Sequence, residues 1–199
     1  MQDNNSAMSP AANLQLIESM INRAKDKFSE NGHLYLLWGW TVLICSIGHF
    51  ILLQFGFYRN SSIIWMLTWV VVIYQMIYLA RKKRNEKVKT YTDDIVSYVW
   101  LAFIVAMALM AFVVVRAEGK DYYKLINPLF LILYGIPTFL SGIILRFKPL
   151  KLGGISCWLL AVIATFVSYD FQLLFLSAAT VIAWIIPGYA LQSKYKKQQ

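Results

Sequence analysis

Charged side chains are scarce in this sequence. Asp, Glu, Lys and Arg make up 15% of its 199 residues, whereas an ordinary soluble domain carries about 25%. The ten carboxylates all lie between long apolar runs or at the edge of one. Because charge within a membrane span marks pumps, proton relays and coupled transporters, this distribution argues against proton-coupled transport.

Cysteine, glycine and proline are also few, with two, ten and five residues, which excludes a disulfide scaffold, a collagen and a Pro/Gly-rich disordered chain. Cys45 and Cys157 are expected at different depths in the membrane, so we predict no disulfide between them. With His33 and His49 they do not converge on a zinc site. The chain has no nucleotide-binding loop, nucleophile elbow or zinc-protease motif. We therefore expect no cofactor, no metal and no catalytic site.

Apolar residues dominate instead, at 59% of the chain, and this excess indicates lipid as the solvent. A helix needs about 20 residues to cross a hydrocarbon core about 30 Å thick. The chain has six apolar runs, at residues 34–57, 62–80, 95–115, 128–147, 152–169 and 171–191. The last two are separated only by a polar cluster at 168–172, where the chain must turn. The sequence predicts an all-α integral membrane protein, a six-transmembrane-helix bundle over residues 33–191.

The basic residues predict the orientation of this bundle. Lys and Arg stay preferentially on the cytoplasmic side of a membrane. With six spans and the N-terminus inside, 15 of the 19 Lys and Arg residues fall in cytoplasmic segments and 4 on the other side. We expect both termini in the cytoplasm and interfacial positions for Trp38, Trp65 and Trp184. The net charge of +9 then belongs to a membrane surface and not to nucleic-acid binding.

A separate element precedes the first span. Residues 1–9 are expected to form a disordered tail, and Ser9-Pro10 predicts a helix start. Asn31-Gly32 predicts its end, which gives a cytoplasmic amphipathic helix over residues 10–31. Its apolar residues recur at spacings of three and four: Leu14, Ile17, Ile21, Ala24 and Phe28. This stripe either lies on the membrane surface or packs against a protein partner or a second copy.

Two polar features inside the spans are candidates for a site. Thr41, Cys45 and His49 recur every four residues and share one helix face, where they either contact a ligand or form a packed polar stripe. Gly135 and Pro137 predict a kink in the fourth span, which either serves packing or exposes backbone to a transported solute.

The loop after the second span is strongly basic, and it contains the run Arg81, Lys82, Lys83 and Arg84. This run is explained by topology alone, but it could also contact anionic lipid headgroups, each charge contributing about 1 kcal/mol near the surface. Residues 192–199 are expected to form a basic cytoplasmic tail. The first apolar run is too long for a signal-peptide core, so we expect it to stay as a membrane anchor.

Two short stretches, Leu36-Leu37-Trp38-Gly39-Trp40 and residues 183–189 (Ala-Trp-Ile-Ile-Pro-Gly-Tyr), resemble an uncharacterised family of small multi-pass inner-membrane proteins of bacteria, of the Bacteroidota. The resemblance implies a bacterial plasma membrane and brings no catalytic or binding residue.

The sequence therefore favours a non-enzymatic, membrane-embedded accessory or regulatory component that interacts with other proteins. The alternative is a small permease or channel for a neutral or hydrophobic solute, suggested by the Pro137 kink and the His49 stripe.

Overall fold

The computed structural model describes residues 10–58, 60–85 and 91–196, with side chains for 32–58, 60–81, 94–119 and 121–193. Within these ranges the chain forms helices and turns and no strand, which confirms the all-α prediction there. The helices are α1 Pro10–Gln54, α2 Met66–Asn85, α3 Tyr91–Glu118, α4 Tyr123–Ile144, α5 Lys148–Ala164, α6 Tyr169–Thr180 and α7 Ile186–Lys196. A 3-10 turn, Ser61–Trp65, precedes α2, and a π-helical turn, Val181–Ile185, joins α6 to α7.

Five helical stretches in the described ranges are long and apolar enough to cross a membrane. They are Gly32–Gln54, Ser61–Arg81, Asp94–Glu118, Tyr123–Ile144 and Tyr169–Ser193. The predicted span that is not among these five, the fifth at residues 152–169, corresponds to α5, which has 17 residues. At 1.5 Å per residue α5 is about 26 Å long, a few ångströms less than the hydrocarbon core.

Successive helices alternate in direction. Trp38 of α1 bonds Gln75 of α2, while His49 of α1 bonds Trp65 at the other end of that pair. Helices α4 and α5 are antiparallel as well. Gly142, near the end of α4, lies beside Lys151 at the start of α5, and Gly135, in the middle of α4, lies beside Trp158 further along α5.

The first span and the last helix close the bundle, because α1 runs antiparallel to α6 and α7. Gly32 lies beside Gly188, and Phe50 lies against Phe171 at the opposite end. The end of the bundle that holds Gly32 and the C-terminal half of α7 is called the terminus side below.

The predicted helix end at Asn31-Gly32 is wrong, because α1 continues unbroken from Pro10 to Gln54. Gly32 serves a different purpose. A Cβ at this position would lie 3.1 Å from the Gly188 carbonyl oxygen and 3.3 Å from Leu191 Cβ, so glycine lets α1 approach α7 closely. The side chains of the predicted stripe on residues 10–31 lie outside the described set, as do residues 1–9 and 197–199.

The start of α4 also differs from the prediction, by five residues, because Pro128 lies inside the helix. Proline has no N–H, so the carbonyl four residues earlier, that of Lys124, loses its helical donor. Gln172 of α6 supplies one, with its Nε2 donating to Lys124 O at 3.2 Å. The helix therefore continues through a proline that the sequence pattern treats as its beginning.

Helices α2 and α3 lie at the periphery of the bundle. In their apolar windows 6% of the residues are buried inside the protein, compared with 39% for α1, 50% for α4 and 56% for α6 with α7. The core is accordingly built by α1, α4, α5 and α6–α7, and most of the surface of α2 and α3 faces outward.

Candidate functional site

The His49 stripe is buried, and Cys45 and His49 of this stripe contact the chain just before α2. Thr41 and His49 are each 5% exposed and Cys45 is fully buried. Cys45 Sγ lies 3.4 Å from the Ile64 carbonyl oxygen, and Thr41 Oγ1 donates back to Leu37 O at 2.7 Å. All three side chains are thus engaged within the protein.

His49 is the centre of a continuous hydrogen-bond chain. Trp65 Nε1, which can only donate, lies 3.0 Å from His49 Nδ1. Nδ1 is therefore the acceptor, and the proton of the neutral imidazole is on Nε2, 3.1 Å from Ser61 Oγ. Ser61 in turn donates to Tyr58 O at 3.2 Å. Both ring nitrogens are satisfied, so the chain ties the loop before α2 to α1 and leaves no free imidazole nitrogen for a ligand.

Gly135 and Pro137 belong to a close contact between α4 and α5. A Cβ on Gly135 would collide with the indole of Trp158, and Trp158 Nε1 donates to Ile132 O at 3.2 Å. Pro137 itself is fully buried. The glycine therefore creates room for the indole ring, which is a packing arrangement, whereas the carbonyl that Pro137 leaves without a helical donor is that of Leu133.

Trp184, for which the sequence predicts an interfacial position, is buried between the helices. Trp184 is 3% exposed, and its Nε1 donates to Thr138 Oγ1 at 2.9 Å, inside the core. Thr138 donates on to Tyr134 O at 2.7 Å. The indole nitrogen is therefore bonded within the protein, and the depth of Trp184 in the membrane stays a prediction.

A local change of helix type carries Trp184 into this position. Pro187 cannot donate to the carbonyl of Ala183, four residues earlier, and the chain forms a π-helical turn just before it, in which Ile186 N–H bonds Val181 O. Such turns are frequent at functional sites. A Cβ on Gly153 of α5 would lie 2.7 Å from Ala183 Cα, so α5 closes tightly over the turn.

Aromatic rings from three helices gather near Trp184. Its ring centroid lies 4.7 Å from that of Tyr134 and 6.2 Å from that of Trp100 of α3. Tyr35 of α1 meets Trp100 edge-on at 5.7 Å. We call this group the Trp184 cluster, and it consists of Tyr35, Trp100, Tyr134, Thr138, Ser141 and Trp184.

Two hydroxyls of the Trp184 cluster lie side by side in the core. Tyr35 Oη is within hydrogen-bonding reach of Ser141 and Trp100, although these contacts are poorly aligned. Tyr35 is 6% exposed and Ser141 is fully buried.

Charged groups are not part of this cluster or of the His49 chain. Among the described side chains, the buried polar set contains no Asp, Glu, Lys or Arg. Groups of three or more His, Cys, Asp or Glu that could hold a metal are also absent from the described ranges, and Cys45 and Cys157 are free thiols.

An ion pair occurs at the start of α4. Asp121 Oδ1 lies 3.0 Å from Lys124 Nζ, and both side chains are more than half exposed. The hydrogen bond from Lys124 lowers the pKa of Asp121. Exposed pairs of this kind contribute little to stability, so the pair does not define a site.

The fourth set of predicted residues, Arg81 to Arg84, lies on the last turns of α2. Arg81 is exposed, and the side chains of the other three lie outside the described set. Because α2 runs antiparallel to α1, this basic segment is at the terminus side.

The length and hydropathy of the helices define the class of the protein, which is a multi-pass helical membrane protein. No family model, curated protein or solved structure matches the chain.

Proposed function

We propose that this protein is a membrane-embedded accessory component without a catalytic site, and that it binds a partner protein through the part of α1 that precedes the first span. The observation that carries the proposal is the continuity of α1. This helix has 45 residues and is about 68 Å long, of which the apolar span Gly32–Gln54 accounts for about 35 Å. The remaining residues, 10–31, extend the same helix by about 33 Å.

An unbroken helix restricts what residues 10–31 can contact. A helix lying on the membrane surface must turn away from the span that follows it, and such a turn needs a break in the helix. α1 has no break at Asn31-Gly32. The extension therefore continues in the direction of the span, away from the headgroups, and its apolar stripe needs a protein surface to cover it.

The alternative function, a permease, is less well supported. It depends on the His49 stripe and on the bend at Pro137, and the hydrogen bonds of His49 and the packing of Trp158 against Gly135 engage both features. We therefore favour the accessory role.

We place the protein in a bacterial plasma membrane with its terminus side in the cytoplasm. The distribution of Lys and Arg residues and the family resemblance of the sequence support this placement. In this orientation the chain crosses the membrane six times, with α6 and α7 together forming one span and α5 forming the shortest. The Arg81–Arg84 segment then faces anionic headgroups of the inner leaflet.

A photo-crosslinking experiment tests the partner proposal. A benzophenone amino acid at position 24 of the stripe should crosslink to a protein whose mass differs from that of this chain. Replacing Ile17 and Ile21 with Asp should abolish that product, because each buried isoleucine contributes about 1.5–3 kcal/mol to such a contact. The spans fold in lipid, so the variant should insert at the wild-type level.

The matched control places the same two charges on the opposite face of the helix, as Ser19→Asp with Asn22→Asp, and should keep the crosslink. Crosslinks to lipid alone would contradict the proposal and identify the extension as a surface anchor. A product containing only a second copy of the chain would also contradict it, in favour of self-association.

A further inference from the structure

The turn between α4 and α5 carries three basic residues, Arg146, Lys148 and Lys151, within six positions of the chain. It lies at the terminus side, because Tyr123, the first residue of α4, contacts Tyr169 at the opposite end of the bundle. Arg146 and Lys148 are exposed, and Lys151 is partly buried. We call these three residues the α4–α5 patch.

Backbone contacts fix the geometry of the α4–α5 patch. The last turn of α4 is closed by Phe147 N–H, which donates to Gly142 O at 2.9 Å. A Cβ on Gly142 would lie 2.6 Å from Lys151 N, so glycine lets the first turn of α5 press against the last turn of α4. Arg146, between the two helices, has a left-handed backbone conformation with φ of 50°. The three basic residues are therefore held around one tight turn.

The positive charge of the α4–α5 patch is not neutralised by the helices around it. From the start of α4 to the end of α7 the chain contains one carboxylate, that of Asp170, in the first turn of α6 at the opposite end of the bundle. In the described part of the chain no ion pair involves the patch, whereas Lys124, at the other end of α4, is paired with Asp121. The patch is thus available to an anion from outside the chain.

The length of α5 places the α4–α5 patch at the depth of the lipid headgroups, given the proposal that α5 crosses the membrane. This helix has 17 residues and is about 26 Å long, whereas the hydrocarbon core is about 30 Å thick. A span this short keeps its ends at the edge of the hydrocarbon, so its first residue, Lys148, lies beside the lipid phosphates. No side chain caps the first turn of α5, and its N–H groups add partial positive charge there.

Apolar side chains next to the α4–α5 patch are exposed toward the acyl chains. Ile143, on the last turn of α4, is 45% exposed, and Leu152, on the first turns of α5, is 66% exposed. Ile155, about one turn further along α5, is 40% exposed. A phosphate bound by the patch would therefore have its acyl chains along the outer surface of α4 and α5.

We propose that the α4–α5 patch binds an anionic phospholipid through its phosphate, and that diphosphatidylglycerol, which has two phosphodiester groups, binds more tightly than phosphatidylglycerol, which has one. Three cations exceed the charge of a single phosphodiester. Bonds from arginine and lysine to phosphate are charge-assisted and strong, and basic pockets between membrane helices bind such headgroups. The site rests on the crossing by α5 and is independent of the partner contact proposed for residues 10–31.

The test uses the full chain in neutral detergent, with diphosphatidylglycerol, phosphatidylglycerol and phosphatidylcholine of identical acyl chains as probes. Native mass spectrometry counts the bound lipids, and the midpoint of thermal unfolding follows their effect on stability. Diphosphatidylglycerol should form a one-to-one complex and raise the midpoint saturably. Phosphatidylglycerol should need higher concentrations, and phosphatidylcholine should do neither. Cysteine labelling at the two ends of α5 reads the crossing separately, so a failure of lipid binding is distinguishable from a failure of the crossing.

The variant Arg146→Gln with Lys148→Gln and Lys151→Gln removes the charges and keeps long polar side chains. It should weaken diphosphatidylglycerol binding about tenfold or more, because three charge-assisted contacts are lost, and should leave the unfolding midpoint without lipid nearly unchanged. The single variant Lys148→Gln should show a smaller loss and serves if the triple variant does not fold.

The matched control removes the same charge from the other basic segment of the terminus side, as Arg81→Gln with Lys82→Gln and Lys83→Gln. It should bind diphosphatidylglycerol nearly as tightly as the wild type. The proposal is overturned if phosphatidylcholine acts like diphosphatidylglycerol or if the second phosphodiester gives no advantage. It is also overturned if the control loses as much binding as the patch variant, because the attraction would then depend on net charge alone.

Discussion

At the scale of single residues, the stability of the bundle depends on polar side chains whose partners lie on other helices. The hydrogen bond from Trp65 Nε1 to His49 Nδ1 is an example, because it joins the segment before α2 to the C-terminal part of the core-forming helix α1. Since α2 is buried so little elsewhere, a few bonds of this type hold it in place.

Trp65→Phe should therefore destabilise the protein by about 1–3 kcal/mol, because it leaves the buried Nδ1 of His49 without a donor. The measurement is the midpoint of thermal unfolding in detergent. Trp69→Phe is the control, since Trp69 lies four residues further along, in α2, but is 64% exposed, and it should change the midpoint little. Equal effects of the two variants would show that the bond contributes nothing.

The sequence predicts some of these residues and misses others for a physical reason. Helical periodicity places Thr41, Cys45 and His49 on one face, because that face depends only on spacing along one helix. It cannot identify Ser61 and Trp65 as partners, because those contacts depend on how two helices pack. The bond between Trp184 and Thr138 is missed for the same reason, since the two residues are 46 positions apart.

At the scale of helices, prolines determine where the bundle needs support from neighbours. Pro128 frees the carbonyl of Lys124, and Gln172 satisfies it from α6. A free carbonyl within a membrane would otherwise be costly. The side chain of Gln172 on α6 therefore supplies the hydrogen-bond donor that Pro128 removes from α4.

A double-mutant cycle tests this compensation. Gln172→Leu should cost about 1–3 kcal/mol in the wild-type background. In the Pro128→Ala background that cost should fall by about 1 kcal/mol, since the alanine N–H restores the donor to Lys124 O. Unfolding midpoints of the four proteins give the coupling.

Ser177→Ala on the same helix is the control for the cycle. Ser177 bonds only within α6, to Leu173 O at 3.0 Å, and its effect should be the same in both backgrounds. If Gln172→Leu behaves like Ser177→Ala, the role assigned to Gln172 is wrong.

Helix boundaries show which features the sequence determines locally. The turn between the last two runs is predicted at 168–172, and the structure has it at 165–168, before α6, because an apolar stretch of that length must fold back. The sequence wrongly predicts a helix end at Gly32 and a start of α4 at Pro128, because glycine is treated as a local stop signal and proline as a local start signal. Gly32 and Pro128 are instead accommodated by Gly188 and Gln172, which are distant in the chain.

At the scale of the whole molecule, the helices form a core of α1, α4, α5 and α6–α7 with α2 and α3 outside it. Composition and apolar runs predict the all-α class and the order of the helices, because a lipid solvent requires both. They do not predict which helices are central, since every run is similarly apolar. The burial of α4, α6 and α7 depends on residues such as Gly142, Gly153 and Gly154, which let helices approach closely.

Our central proposal is that the chain crosses the membrane six times in alternating directions, with the short helix α5 as one crossing. Cysteine labelling with a membrane-impermeant maleimide on intact cells tests it most directly, with single cysteines placed on either side of α5 as Lys148→Cys and Thr165→Cys. Both positions are exposed, and both native thiols are buried. We expect Thr165→Cys to be labelled in intact cells and Lys148→Cys to be labelled only after the membrane is opened. Labelling of both or of neither in intact cells would contradict a crossing by α5.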